Sequence, residues 1–304
     1  MTHDFHDQIV NDTGRLLPMV EKAMWLPLTE GPAPKLLNAM HYSLGSQGTG
    51  GKRIRPLLCM LAAESVGGSA ETALPCAIAL EYVHTYSLIH DDLPAMDDDD
   101  FRRGKPTNHK VFGEGHAVLA GDGLLTEAFA VLAAENGLAP DMRVEVIKVL
   151  AEAAGHQGMV GGQSLDLEGE TLAVSSASYD IQHMRLVHRL KTGALLRASL
   201  EMGGIAAGAS AEHRRILREA GVELGMAFQI MDDILDATST MDEMGKRVGK
   251  DSVKGKLTII RTLGLEGARV ALWEVTERTV ALLHQLPEPT SLVAWARHLA
   301  SRVN

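Results

Sequence analysis

One 21-residue stretch constrains this chain more than any other: TALPCAIALEYVHTYSLIHDD at 72–92 is apolar around most of its circumference and ends on two acids. A helix that is apolar on all sides runs through a protein's centre instead of along its surface. Asp91 and Asp92 then stand at one end of a central helix, where even partial burial of a carboxylate calls for compensation. A second stretch, AEHRRILREAGVELGMAFQIMDDILD at 211–236, passes from charged to nearly all apolar and also finishes in acids. Two central helices with acidic ends predict a helical bundle whose mouth carries a site.

Helical spacing recurs elsewhere, and long alternating strand patterns are absent. It predicts helices near 4–24, 35–45, 55–66, 72–92, 116–135, 141–159, 175–207, 211–236, 256–265, 269–284 and 290–301. The expectation is an all-α fold in a single domain over 1–304, since no Gly/Ser-rich or Pro-rich linker divides the chain. Lys191-Thr192-Gly193 interrupts a long helical tract, and Gly161-Gly162-Gln163 with Asp166 forms a further polar interruption. The polar, charge-rich region 237–256 reads as a mobile flap near the second acidic end. A formal net charge of -10 argues against broad nucleic-acid binding, though local basic clusters can still hold a small anion. Cys59 and Cys76 sit in apolar surroundings and read as buried thiols, which suits the cytoplasm. The N-terminal segment lacks a basic stretch followed by an apolar one, and no segment reads as long enough for a membrane span, so stable membrane insertion is not expected.

The acids have metal-ligand character. Asp232 and Asp236 are four residues apart, so a helix turns both carboxylates the same way, while Asp233 points about 100° away, toward a supporting position or the surface. Pro94 breaks the helical ladder after Asp91, and the resulting turn folds Asp97 back toward it; Asp98 to Asp100 read as a solvated loop. Carboxylates without Cys or paired His favour Mg²⁺, with Mn²⁺ as the alternative. His90 reads as a hydrogen-bonding neighbour and His84 as a buried imidazole in need of a partner, a ligand anion being one candidate. In Gly50-Gly51-Lys52-Arg53-Ile54-Arg55-Pro56 a flexible turn meets a helix start, where Lys52 and Arg55 can converge on an anion. Arg102-Arg103 is an ordinary polar loop in isolation and an anion clamp beside metals. Thr192 either caps the continuing helix or points its hydroxyl at a ligand. Gln229 either sets an amide above a reacting group or makes a core hydrogen bond.

Four segments in order, GGKRIRP at 50–56, EYVHTYSLIHDDLPAMDDDDFRRGKPTNH at 81–109, KTGALLRAS at 191–199 and FQIMDDILD at 228–236, closely resemble the bacterial short-chain trans-isoprenyl diphosphate synthases, the farnesyl and geranylgeranyl diphosphate synthase family. The resemblance implies the all-α isoprenoid synthase fold around a deep central cavity, usually as a homodimer, with Mg²⁺ bridging both aspartate motifs to an allylic diphosphate. It implies Asp91, Asp97 and Asp232 as principal metal ligands, with Asp92 and Asp236 in the same motifs. Arg102, Lys191, Lys246 and Lys256, joined by Thr192 and Gln229, match the allylic diphosphate site. Gly51, Lys52, Arg55, His84 and Arg103 match the isopentenyl diphosphate site. The implied reaction is head-to-tail trans condensation of isopentenyl diphosphate with dimethylallyl or geranyl diphosphate, giving farnesyl diphosphate and diphosphate. Tyr86 lies about 7.5 Å down the helix axis from Asp91. An aromatic at that position accompanies a C15 product in bacterial members and a smaller residue a C20 product. A geranylgeranyl diphosphate synthase and a non-catalytic regulatory subunit are the alternatives. The segment from Gly255 to Ile260 is more apolar than the family pattern, which bears on how the flap packs.

Overall fold

The apolar stretch becomes α4 (Ala70–Asp91), enclosed as its circumference requires, with Cys76, Ile78, Leu80, Tyr82 and Val83 all buried. The protein is described by a computed structural model covering residues 2–45, 51–134, 137–175, 181–238 and 259–301, with no account of side chains at 2–4, 170–175, 181 and 261. Before α4 come α1 (Thr2–Ala23), α2 (Pro34–Leu44) and α3 (Ile54–Ser65). After it, two short strands, β1 (Phe101–Arg102) and β2 (Lys105–Pro106), form an antiparallel hairpin that leads into α5 (Asn108–Phe112) and α6 (Glu114–Ala133). Then follow α7 (Pro140–Ala154), α8 (Met159–Ser175), α9 (Ile181–His188), a π-helical segment (Arg189–Gly193) and α10 (Ala194–Ala206). The chain closes with α11 (Ala211–Thr238), α12 (Ile259–Leu283) and α13 (Thr290–Ser301).

The all-α expectation holds, with instructive departures. The second fully enclosed helix is α10, in which every residue but Arg197 is buried. By contrast, α11 is two-faced: Ile216, Leu217, Ala220 and Leu224 face inward while Arg215 pairs with exposed Glu219 at 2.7 Å. The charged first half of that segment is therefore a solvent face, which an overall reading of its hydrophobicity hides. The expected break at Gly161-Gly162-Gln163 is instead the start of α8. There a Cβ on Gly162 would overlap the backbone at Lys191, so the glycine serves close packing of α8 on the π-helical segment. The break expected near 265–269 is a kink within α12 at Gly264, whose φ is 69°.

Two cores result. The larger involves α1 through α7, α10, α13, the first half of α11 and the end of α12, and includes Cys59 and Cys76, both buried and unpaired by disulfide. The smaller joins Met184 of α9, Ile230, Met231 and Ile234 of α11, and Ile259, Ala268 and Leu272 of α12. The α6 helix, by length and composition, is apolar enough to cross a membrane, contrary to the expectation from sequence, and it packs on α4 and α2. Its exposed Val118 and Leu119 form an apolar outer face.

Asp233 joins α11 to α12. It is buried, which excludes the surface position, and its carboxylate accepts bonds from Gln229 Nε2 at 3.2 Å and from the Ile259 backbone N–H at 3.0 Å. Loss of a charged acceptor leaves the first amide of α12 unpaired. Asp233→Ala is expected to cost about 2 kcal/mol in urea unfolding, and a loss below a few tenths would refute this capping role.

Candidate active site

On α4, Glu81, His84, Leu88 and Asp91 follow the alternation of three and four residues that places side chains on one helix face. A polar stripe thus ends in Asp91. Beyond it Pro94 cannot continue the helix, and the chain turns back: the Asp97 N–H donates to the Asp91 carbonyl at 2.9 Å and the Asp98 N–H to the Leu93 carbonyl at 3.1 Å. The two acids share one helix end. Burial pushes the Asp91 carboxyl up to about 6; Lys191 opposes the shift and the like charge of Asp97 adds to it.

Asp92 lies on another face and has a different partner. Its buried carboxylate receives Arg102 Nε at 2.7 and 2.9 Å and pairs with Nη2 at 2.6 Å. Arg102 ends β1 in the β1–β2 hairpin, whose two turn residues, Arg103 and Gly104, have φ of 53° and 74°. Both values positive is the signature of the tight hairpin turn matched to strand twist. Tyr42 Oη donates to the Pro106 carbonyl at 2.7 Å, and Asn108 Nδ2 donates to the Ala39 carbonyl and Ser43 Oγ, both at 2.8 Å, anchoring the hairpin region to α2. Between α2, α4 and the hairpin lies a cleft open to solvent, with Arg102, Arg103 and Lys105 on its wall.

A second concentration of cations sits beside it. The Arg103 guanidinium occupies the space a Cβ on Gly51 would need, with Nη2 only 2.5 Å from that point. The glycine is what permits this approach. Burial pulls the pKa values of Arg55 and Arg103 down, Glu81 counteracting in both. His84 is held well below the ordinary imidazole range by burial first and then by Arg55, Arg103, Arg102 and Arg53, so its ring is neutral here. Arg55 Nε is buried with no hydrogen-bond partner. A buried donor without an acceptor, among crowded guanidinium groups, fits an anion.

The opposite wall comes from α11 and the π-helical segment. Lys191 Nζ pairs with Asp166 Oδ2 at 2.7 Å, and Thr192 Oγ1 donates to Gln229 Oε1 at 3.2 Å. Gln229 in turn donates to Asp233, so both ends of its amide are fixed. The widened π turn occurs at the Lys191-Thr192-Gly193 interruption seen in the sequence, in keeping with the frequent use of such bulges at functional sites. Asp232 is partly buried and its charge is felt by Arg55, while Asp236 is exposed. The acid-bearing end of α11 and the basic start of α3 are thereby electrostatically joined, while Lys191 of the π-helical segment acts on Asp91 at the end of α4.

Sequence reasoning brought most of these groups forward but gave little weight to Asp166, Glu81 and Arg53. Glu81 had a readable signal, a lone acid inside an apolar stretch. Asp98, Asp100 and His109 bring ligand atoms within 4.8 Å of one another, although the two exposed aspartates read as solvated loop; Asp100 also pairs with Lys110 at 2.7 Å. Tyr86 is buried and meets His90 edge-on, ring centroids 5.7 Å apart. Lys246, Lys256 and the 239–256 part of the expected flap lie outside the described residues.

Residues 33–281 match the Polyprenyl synthetase family, and the chain belongs to it. It is 49% identical to the farnesyl diphosphate synthase of Geobacillus stearothermophilus, over 83% of this chain and 84% of that protein. It is also 46% identical to geranylgeranyl pyrophosphate synthase 9 of Arabidopsis thaliana, over 88% of this chain and 74% of the relative. The fold is that of an FPP/GFPP synthase from Zymomonas mobilis, with a TM-score of 0.84 and 35% identity over 98% of this chain and all of that one. The chain is thus an isoprenoid-synthase-fold member of a family whose relatives elongate prenyl diphosphates.

Since Asp91 holds its proton more tightly folded than unfolded, its stabilising contribution is complete below 3.8 and is lost as pH rises through about 6. Asp91→Asn is expected to make the ligand-free protein more stable at pH 7.5, by on the order of 1 kcal/mol, with the advantage gone near pH 4. Urea unfolding at both pH values checks this; an advantage equal at both would refute the electrostatic cause.

Proposed function

We propose that this protein is a Mg²⁺-dependent (2E,6E)-farnesyl diphosphate synthase, condensing isopentenyl diphosphate with dimethylallyl or geranyl diphosphate. The observation that carries the reading is the pairing of two unlike anion sites. One is faced by acids, Asp91 and Asp97 at the end of α4; the other is built of cations around the partnerless Arg55 Nε, within the field of Asp232. Two diphosphate substrates, one approached through metal and one held directly, call for such a pair.

The donor set fits a hard divalent cation: oxygen ligands only, with Asp91 raised by burial and by its neighbour's charge, so that a cation would relieve the repulsion. Asp91, Asp97 and Asp232 would hold it, with Asp236 and Asp92 in the same motifs, Asp92 chiefly fixing Arg102. Bound there, Mg²⁺ or Mn²⁺ supplies charge neutralisation of the allylic diphosphate. Arg102 and Lys191, with Lys246 and Lys256, steady that leaving group while the carbon–oxygen bond breaks. Thr192, Gln229 and the carbonyls of the π turn present fixed dipoles to the allylic cation. Gly51, Lys52, Arg55, His84 and Arg103 hold isopentenyl diphosphate so that its double bond attacks that carbon. The new carbon–carbon bond forms, and the proton lost goes to the released diphosphate. The 237–256 segment is the proposed barrier that would keep water from the cation.

The reading extends to a single synthase domain over 1–304 acting as a cytoplasmic homodimer, the apolar face of α6 at Val118 and Leu119 supporting self-association. Tyr86 is the proposed floor of the tail pocket. Similarity to both farnesyl and geranylgeranyl synthases keeps a C20 product as the competing outcome.

The test incubates the purified chain, Mg²⁺ and labelled isopentenyl diphosphate with dimethylallyl, geranyl or farnesyl diphosphate in separate reactions. C15 accumulation with little use of farnesyl diphosphate is expected. Conversion of farnesyl diphosphate to C20 would reassign the product, and no incorporation by the isolated chain would favour a dependent regulatory subunit. Tyr86→Ala is expected to shift the product toward C20, and an active variant that still stops at C15 would remove Tyr86 as the floor.

A further inference from the structure

We infer that Arg53, which faces away from the pocket, is a positioning residue that sets the isopentenyl diphosphate subsite through a buried three-way guanidinium fork. The inference rests on the assignment of Lys52, Arg55, His84 and Arg103 to that subsite.

Arg53 lies between two candidate ligands yet its side chain is fully buried. Nε donates to Glu21 Oε1 at 2.8 Å, Nη1 to Glu81 Oε1 at 2.7 Å and Nη2 to the Leu44 carbonyl at 2.6 Å. These acceptors belong to α1, α4 and the last turn of α2, where unpaired carbonyls favour a cation. The backbone responds to this inward pull: Arg53 has φ 48° and ψ 34°, a left-handed conformation uncommon outside glycine. Its carbonyl then starts α3, accepting the Leu57 N–H at 3.0 Å. The turn reverses between Lys52, which is exposed, and Arg55, one residue into the new helix.

The fork also ties the loop to the polar stripe of α4. Glu81 is buried, gives one oxygen to Arg53 and leaves the other without a hydrogen bond, and its charge acts on Arg55 and Arg103. His84 stands one turn further along the same face. Arg53 therefore fixes the start of α3 and the α4 face in one register. Lysine keeps the charge but cannot supply three divergent donors in a plane.

The experiment compares steady-state kinetics of wild type, Arg53→Lys and Glu21→Gln, each with its thermal unfolding. Arg53→Lys is expected to raise KM for isopentenyl diphosphate about tenfold, with kcat and the allylic KM within about twofold. Glu21, at the edge of the fork and partly exposed, gives a milder variant: Glu21→Gln should raise the same KM about threefold, and it decides the matter if Arg53→Lys does not fold. Folded variants with unchanged KM for isopentenyl diphosphate, or with both KM values and kcat altered alike, would overturn the positioning role. Lys52→Ala and Arg55→Ala test the underlying subsite separately: if neither raises that KM, the subsite assignment fails, whatever the Arg53 variants do.

Discussion

A charge can stand inside an apolar helix bundle only if another element brings it a partner, and the Arg53–Glu81 pair meets that condition at the centre of this fold. Both side chains are essentially removed from solvent. Such a pair adds little net stability over well-packed apolar residues, because desolvation offsets most of the attraction. Its value is specificity: three hydrogen bonds in fixed directions permit one arrangement of α1, α2, α3 and α4. The same logic recurs at the helix end, where Asp92 holds Arg102, and on the far wall, where Asp166 holds Lys191. Arg102 and Lys191 are each set in place by an acid from another element.

This division of labour explains what could be read from sequence. The enclosure of α4 followed from its circumference, and the fold-back of Asp97 followed from Pro94, because both are local consequences of backbone and side-chain type. The partners of Asp92 and Lys191 were not legible. Ten residues separate Asp92 from Arg102 and twenty-five separate Lys191 from Asp166, and spacing does not encode such contacts. The hairpin escaped for another reason: two-residue strands carry no alternation, and their signal was the turn pair Arg103-Gly104. The enclosure of α10 went unseen because ALLRASLEMGGIA includes an arginine and a glutamate, and Glu201 is buried only through Arg197 and Arg218.

Electrostatics give the candidate site a poised character. In a chain of net charge -10, cations crowd around His84 closely enough to keep its ring neutral, while a few turns along α4 a carboxyl is held near pH 6. Each cluster is disfavoured by its own like charges until a partner of opposite sign arrives. Three non-glycine residues have positive φ among the described residues: Arg53, Asp98 and Arg103. All border these clusters, so backbone strain and charge repulsion are stored in the same place.

The clasp at Asp233 has a further consequence. Because its carboxylate binds the Ile259 amide while its own backbone belongs to α11, the chain leaves and returns at nearly one point. The start of α12 is therefore held against the acid-bearing end of α11. One carboxylate thus sets the register in which the two helices share the smaller core.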